Sequence, residues 1–124
     1  MKIEHANITV SNIDETFEFY HSLMGFEKRW EGEANGVLGP VRACHVGTPE
    51  FYLSFFEAEN QGAATQDYSR NGINHIGFEV NNLSDYKRKL GDMGVNIHFE
   101  QDYDPGTRLY FYDLNGVEIE LVEY

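Results

Sequence analysis

The chain has 124 residues, 41% apolar and 15% aromatic, long enough to bury a core without covalent staples. Nine basic against 21 acidic residues leave a net charge of -12, which argues against nucleic acid and anionic membrane surfaces as partners. A single cysteine, Cys44, excludes an internal disulfide framework and any multi-cysteine zinc site.

Residues 4–10 (EHANITV) alternate Ala6, Ile8 and Val10 with His5, Asn7 and Thr9, the period of a half-buried strand. Ile13, Phe17, Tyr20 and Met24 then make one helical stripe, with Ser11 or Asn12 to cap its start and Gly25 to end it. A strand is expected from Phe26 to about Glu33, a loop from Gly32 to Pro40, and strands over 41–46 and 51–57, joined through 47–50. Residues 58–73 carry little apolar periodicity and read as a linker. The order then repeats: a strand over 74–80, a helix with Leu83, Tyr86, Leu90 and Met93 in line and Gly94 closing it, and strands over 95–103, 108–112 and 117–124. Asp113-Leu114-Asn115-Gly116 is the turn between the last two. No apolar stretch approaches the ~20 residues of a membrane span. The N-terminus lacks the apolar core of a secretory signal, so a cytoplasmic protein is expected.

The chain therefore reads βαβββ–linker–βαβββ: one α+β domain over 1–124, with modules at 1–57 and 74–124. Aligning His5 with His75, and residues 42–57 with 108–123 without a gap, places one polar side chain per module at two positions. These are His5 and His75 early in the first strand, and Ser54 and Glu120 midway along the last. All four fall on the polar faces of their strands, opposite Leu53 and Phe55, or Ile119 and Leu121. Two half-sheets packed on their helices would turn these faces toward one cavity. Two imidazoles and a carboxylate suit a divalent first-row cation (Fe, Mn, Ni, Zn or Co), and three protein ligands leave positions open for substrate.

The segments 5–26 (HANITVSNIDETFEFYHSLMGF), 74–80 (NHIGFEV) and 111–123 (FYDLNGVEIELVE) resemble the vicinal oxygen chelate superfamily. That group contains glyoxalase I, bleomycin-resistance proteins, fosfomycin-resistance enzymes and extradiol dioxygenases. The resemblance spans essentially the whole chain. It implies two βαβββ modules forming an eight-stranded cupped sheet around one site, often as a homodimer. It also implies His5, His75 and Glu120 as metal ligands, with Glu120 available as a catalytic base, and a small-molecule substrate whose vicinal oxygens are chelated. Glyoxalase I-like members carry a fourth ligand, a glutamate, where this chain has Ser54, and a serine hydroxyl is a poor base. The remaining pattern is closer to the dioxygenase and fosfomycin-resistance branches. Lyase or isomerase chemistry and dioxygenase chemistry both stay open, and the rival reading is a metal-free cup that sequesters a ligand.

Further residues are expected to line the site. Arg42 and Arg108, at matching strand starts, are candidate anchors for an anionic group. A regular hairpin would set His45 opposite Tyr52, on the face of Ser54, and the same logic places Leu109 and Phe111 near Glu120. Glu57 is expected on the opposite face, His21 and His98 as structural residues, and Cys44 as a small buried hydrophobe.

Overall fold

The structure, a computed structural model, describes residues 1–37, 39–59 and 66–124, the side chain of Tyr103 aside. The linker expected over 58–73 lies partly outside the described residues. The chain divides into two compact units, Met1–Gly62 and Ala63–Tyr124. The first contains β1 (His5–Val10), α1 (Ile13–Met24), β2 (Glu27–Gly36), β3 (Gly39–Gly47) and β4 (Tyr52–Glu57). The second contains β5 (His75–Glu79), α2 (Leu83–Asp92), β6 (Ile97–Tyr103), β7 (Gly106–Tyr112) and β8 (Glu118–Glu123). Each forms a four-stranded mixed sheet, ordered β1-β4-β3-β2 and β5-β8-β7-β6, in which the first strand runs parallel to the last.

Local chemistry sets the helix ends. The Asn12 side chain accepts from Glu15 N at 2.9 Å, and Gly25, at φ 69°, closes α1 with its N–H on the His21 carbonyl. The last strand of each module adds a second clamp. Glu57 accepts from Ile13 N at 2.8 Å, and Glu123 accepts from Leu83 N at 2.5 Å, so each carboxylate meets the positive end of its own helix. Glu57 thus lies on the helix side of its sheet, as its parity requires.

The buried stripe of α1 is Ile13, Thr16, Tyr20 and Leu23, one residue of phase away from the expected Ile13, Phe17, Tyr20 and Met24. Thr16 can be buried because its hydroxyl donates to the Asn12 carbonyl at 2.8 Å. Tyr20 packs on Phe26 and Phe55, while Phe17 and Met24 flank the stripe half-buried. In the second unit Leu83 and Leu90 are buried, as are Leu109, Phe111, Ile119 and Leu121 of the sheet. The loop expected over Gly32–Pro40 is shorter than its glycines suggest. β2 continues to Gly36, which pairs with Gly39, and Gly39 turns the chain at φ 78°.

The two modules differ in one hairpin. Between β3 and β4 the loop is 48–51, so Gly47 faces Tyr52 and His45 faces Ser54. Between β7 and β8 it is 113–117, one residue longer, because Asp113 closes it twice. Asp113 N donates to the Val117 carbonyl at 2.9 Å, and Asp113 Oδ1 accepts from Asn115 N and Val117 N. Tyr110 therefore faces Glu120, and Phe111 faces Ile119. The internal repeat runs at 66 residues on the last strand (Ser54 to Glu120) but at 65 on the one before it (His45 to Tyr110). A gapless match of Arg42 with Arg108 fails for this reason.

Two glycines separate steric demand from conformational freedom. A Cβ at Gly47 would lie 2.2 Å from the Phe51 carbonyl oxygen and 2.6 Å from Tyr52 Cα. Gly47→Ala is expected to destabilise the first unit by about 1–3 kcal/mol, because backbone must move. Gly91, exposed on α2, meets nothing within 4 Å. Gly91→Ala is expected to stabilise by roughly 0.5–1 kcal/mol through helix propensity. Urea unfolding of both variants measures the opposite signs.

Candidate metal centre

On the open face of the first sheet, β1–β4 pairing sets His5 beside Tyr52, with ring centroids 4.9 Å apart. His45 stacks on Tyr52 at 4.4 Å and Trp30 leans on His45, tilted 45°, at 4.9 Å, so four rings cross all four strands. The Arg29 guanidinium sits 4.6 Å from the Tyr52 ring centroid. Burial, helped by the nearby His5, holds the His45 imidazole below its ordinary pKa. Glu4 Oε1 accepts from the Tyr52 hydroxyl at 3.1 Å and lies 2.9 Å from His5 Nδ1. These bonds, that from His5 first, pull the Glu4 carboxyl below the usual range. A carboxylate can only accept, so the His5 nitrogen facing Glu4 is a protonated Nδ1. Ser54, 5% exposed, has its hydroxyl oxygen 3.5 Å from Asn7 Nδ2.

The second sheet repeats this layout with different residues. His75 is level with Glu118, and Gly77 with Glu120. His75 Nε2 lies 2.9 Å from Glu120 Oε2, and its Nδ1 lies 3.1 Å from the Tyr68 hydroxyl and 3.6 Å from Glu118 Oε1. Arg108 Nη1 is 3.4 Å from Glu120 Oε1. Tyr110 stands edge-on to the His75 ring, and burial, then the Glu120 charge, raises its phenol pKa.

Several expected site residues are thereby relocated. Phe111 is fully buried on the opposite face, with Leu109, because the longer 113–117 loop reverses parity; Tyr110 and Arg108 take the face of Glu120. Arg42 shares parity with Cys44 and Val46 and turns to the helix side. It binds Asp14 at 2.8 Å and Glu31 at 2.5 Å, and lies 3.6 Å from Glu57. His45 opposes Ser54 rather than Tyr52, a shift of two residues that preserves parity, so all three share one face. Cys44 is buried, which pushes its thiol pKa up.

Sequence reading missed Glu118, Tyr68, Tyr110 and the role of His98, whose Nε2 lies 2.9 Å from Glu118 Oε2. The spacing of Glu118 to Glu120 was a usable signal, since residues two apart in a strand share a face.

Among the described residues, no three His, Cys, Asp or Glu side chains form a ready-made metal cage. The donors stand as a pair in the second unit, His75 and Glu120, and one in the first, His5. Their chemistry suits a first-row divalent cation. The 2.9 Å between His75 Nε2 and Glu120 Oε2 is close to the roughly 3 Å that separates neighbouring ligands bonded at about 2.0–2.2 Å.

Comparison with known proteins agrees with this architecture. The family model described as Glyoxalase/Bleomycin resistance protein/Dioxygenase superfamily matches residues 2–121, and the chain belongs to that superfamily. It is 30% identical, over 125 aligned residues, to a metallothiol transferase FosB of Staphylococcus epidermidis, covering 96% of this chain and 81% of the relative. A FosB of Staphylococcus haemolyticus matches to the same extent. The fold superposes on a glyoxalase/bleomycin-resistance/dioxygenase domain from Frankia at TM-score 0.80 and 19% identity, covering 99% of this chain and 91% of that one. A fosfomycin-resistance protein FosX variant from Listeria monocytogenes, complexed with Mn(II) and 1S,2S-dihydroxypropylphosphonic acid, matches at TM-score 0.76 and 18% identity, over 97% and 90%.

Hydrogen bonds from Arg42, joined at Glu31 by one from Lys28, hold the Asp14 and Glu31 carboxyls below their usual range. Carboxyls depressed in this way contribute stability above the ordinary carboxylate range, and that contribution is lost as pH falls through their folded values. Arg42→Met is expected to flatten the pH dependence of the urea midpoint on the acid side of pH ~4. It should leave divalent-cation affinity unchanged.

Proposed function

We propose that the chain is a metal-dependent enzyme of this superfamily, with His5, His75 and Glu120 holding a divalent cation. The carrying observation is that both histidines have an acceptor behind Nδ1, Glu4 for one and Tyr68 with Glu118 for the other. In this arrangement Nε2 is the ligand nitrogen, and a carboxylate behind a ligand imidazole raises its basicity. A bound cation would supply Lewis acidity to two neighbouring oxygens of a small organic substrate.

The residues narrow the chemistry. Ser54 occupies the position matching Glu120 and supplies a hydroxyl in place of a second ligand carboxylate, and Glu118, on the face of Glu120, is engaged by Tyr68, Gln66 and His98 rather than free to shuttle a proton between carbons. This disfavours four-ligand isomerase chemistry. It suits the addition of an external nucleophile to an activated substrate, the kind of reaction that the name metallothiol transferase describes for the relatives. Lyase and dioxygenase chemistry are the remaining enzyme readings. Arg108, beside Glu120, offers a guanidinium to an anionic substrate group. Glu120 is the one carboxylate placed both to ligate and to take a proton. The ring ladder of Trp30, His45, Tyr52 and His5 favours a second reading, a metal-free protein that binds a flat ligand on the first sheet.

Metal analysis of the purified protein decides between them. The enzyme reading predicts near-stoichiometric divalent metal. It also predicts a melting temperature that rises with added Mn(II), Ni(II) or Zn(II), by about 2.7 kcal/mol of stabilisation at a hundred times Kd. His75→Ala and Glu120→Gln should abolish the shift, and thiol-dependent consumption of fosfomycin should require the metal. Absent metal and an unmoved melting temperature with all three cations would overturn it.

A further inference from the structure

Resting on the metal reading above, we propose that Tyr68 and Glu118 are the positioning residues of His75. They fix its proton on Nδ1 and so create the ligand nitrogen from a segment that precedes the module's first strand.

The direction of each hydrogen bond follows from counting protons. Tyr68 has one hydroxyl hydrogen and gives it to Glu118 Oε1. Its oxygen is then an acceptor, and 3.1 Å away the only available partner atom on His75 is Nδ1. Tyr68 can accept only from a protonated Nδ1, which leaves Nε2, 2.9 Å from Glu120 Oε2, as the nitrogen whose proton a cation would displace. The chain His75 Nδ1–H to Tyr68 Oη–H to Glu118 runs one way only.

Glu118 is built to terminate it. The residue is 4% exposed, yet it also accepts from Gln66 Nε2 at 3.0 Å and faces His98 Nε2 at 2.9 Å. Three donors hold the carboxylate as a fixed acceptor, where a buried carboxylate without them would be costly. Gln66 is tied in turn, since its amide donates to the Asn74 carbonyl and its oxygen accepts from the Tyr112 hydroxyl at 3.2 Å. Burial and the Glu118 charge push the Tyr68 phenol pKa well above its ordinary value, so it stays a hydroxyl donor. Residues 66–68 carry no periodicity and look like linker, but they hold the back of the candidate ligand.

The test uses Tyr68→Phe, Glu118→Gln and the double variant, with two readouts. The first is NMR of the His75 ring in 15N-labelled, metal-free protein. The wild type should show a hydrogen-bonded Nδ1–H in slow exchange with water, and Tyr68→Phe should broaden or lose it. The second is Mn(II) alone, titrated calorimetrically. Glu118→Gln should weaken binding 10- to 100-fold, with Tyr68→Phe a smaller loss, and the double variant should be no worse than Glu118→Gln, because both act through one chain. Tyr68→Phe deletes one partly exposed hydroxyl and serves if Glu118→Gln folds poorly. A wild-type His75 without a proton on Nδ1, or Tyr68→Phe with Nδ1–H exchange unchanged, overturns the proposal. Wild-type protein that binds no Mn(II) overturns the metal reading instead, and the Nδ1–H readout still decides this one.

Discussion

In each module the last strand must return beside the first and run parallel to it, and the candidate site depends on that pairing. A parallel neighbour cannot be reached by a tight turn; the chain needs a long crossover, here the helix and the hairpin strands that follow it. Once the pairing is made, the histidine of the first strand is level with one residue of the last and sits diagonally from the next on the same face. In the first module those residues are Tyr52 and Ser54; in the second they are Glu118 and Glu120. The pairing is locked from the other side of the sheet, where Glu57 and Glu123, three residues beyond Ser54 and Glu120, bind the first N–H of their own helices. A one-residue slip of the last strand would move the polar residue off the face and release the helix cap together.

The same scaffold places an acceptor behind Nδ1 of each histidine by two routes. The first module puts an aromatic ring beside its histidine and takes the supporting carboxylate from Glu4, just before β1, in an exposed position that needs few partners. The second puts the carboxylate itself beside the histidine, as Glu118. That choice buries a charge, and the fold answers with Tyr68, Gln66 and His98. The bulge in the outer hairpin recurs in both modules, between Lys28 and Trp30 and between Ile97 and Phe99. Its extra residue is Arg29 over Tyr52 in one and His98 against Glu118 in the other. A strand irregularity thus aims a nitrogen-bearing side chain at the residue beside each histidine.

How much of this can be read from the sequence depends on how each feature is encoded. The histidines, Ser54 and Glu120 are legible because strand alternation and an approximate repeat are both local patterns, and the parallel pairing preserves them. Phe111 misleads because parity across a hairpin depends on loop length, and Arg42 misleads because its gapless match to Arg108 crosses the one-residue difference between the two hairpins. The Asp113 side chain draws Val117 into the loop, an interaction that the Asn-Gly signal does not carry. The phase of α1 misleads because Thr16 satisfies its own hydroxyl and can lie in the core, where hydropathy alone would place Phe17. Tyr68 is illegible, since its partner is 50 residues away and its segment has no period.

The charge of -12 makes two carboxylates on one strand face costly unless each has its own counterpart. Glu118 and Glu120 are two residues apart and point to the same side, with His75 reaching both at 3.6 and 2.9 Å. The remaining donors are divided. Tyr68, Gln66 and His98 turn to Glu118, while Arg108 and Tyr110 turn to Glu120. Glu118 is consequently engaged on both oxygens, by Tyr68 and Gln66 at Oε1 and by His98 at Oε2. Glu120 keeps Oε2 toward the imidazole, lies with Oε1 beside a guanidinium, and also bonds the Tyr110 hydroxyl. The partition makes one of two equivalent-looking carboxylates a support and leaves the other as the proposed ligand, although both stand in the same Glu-Ile-Glu run.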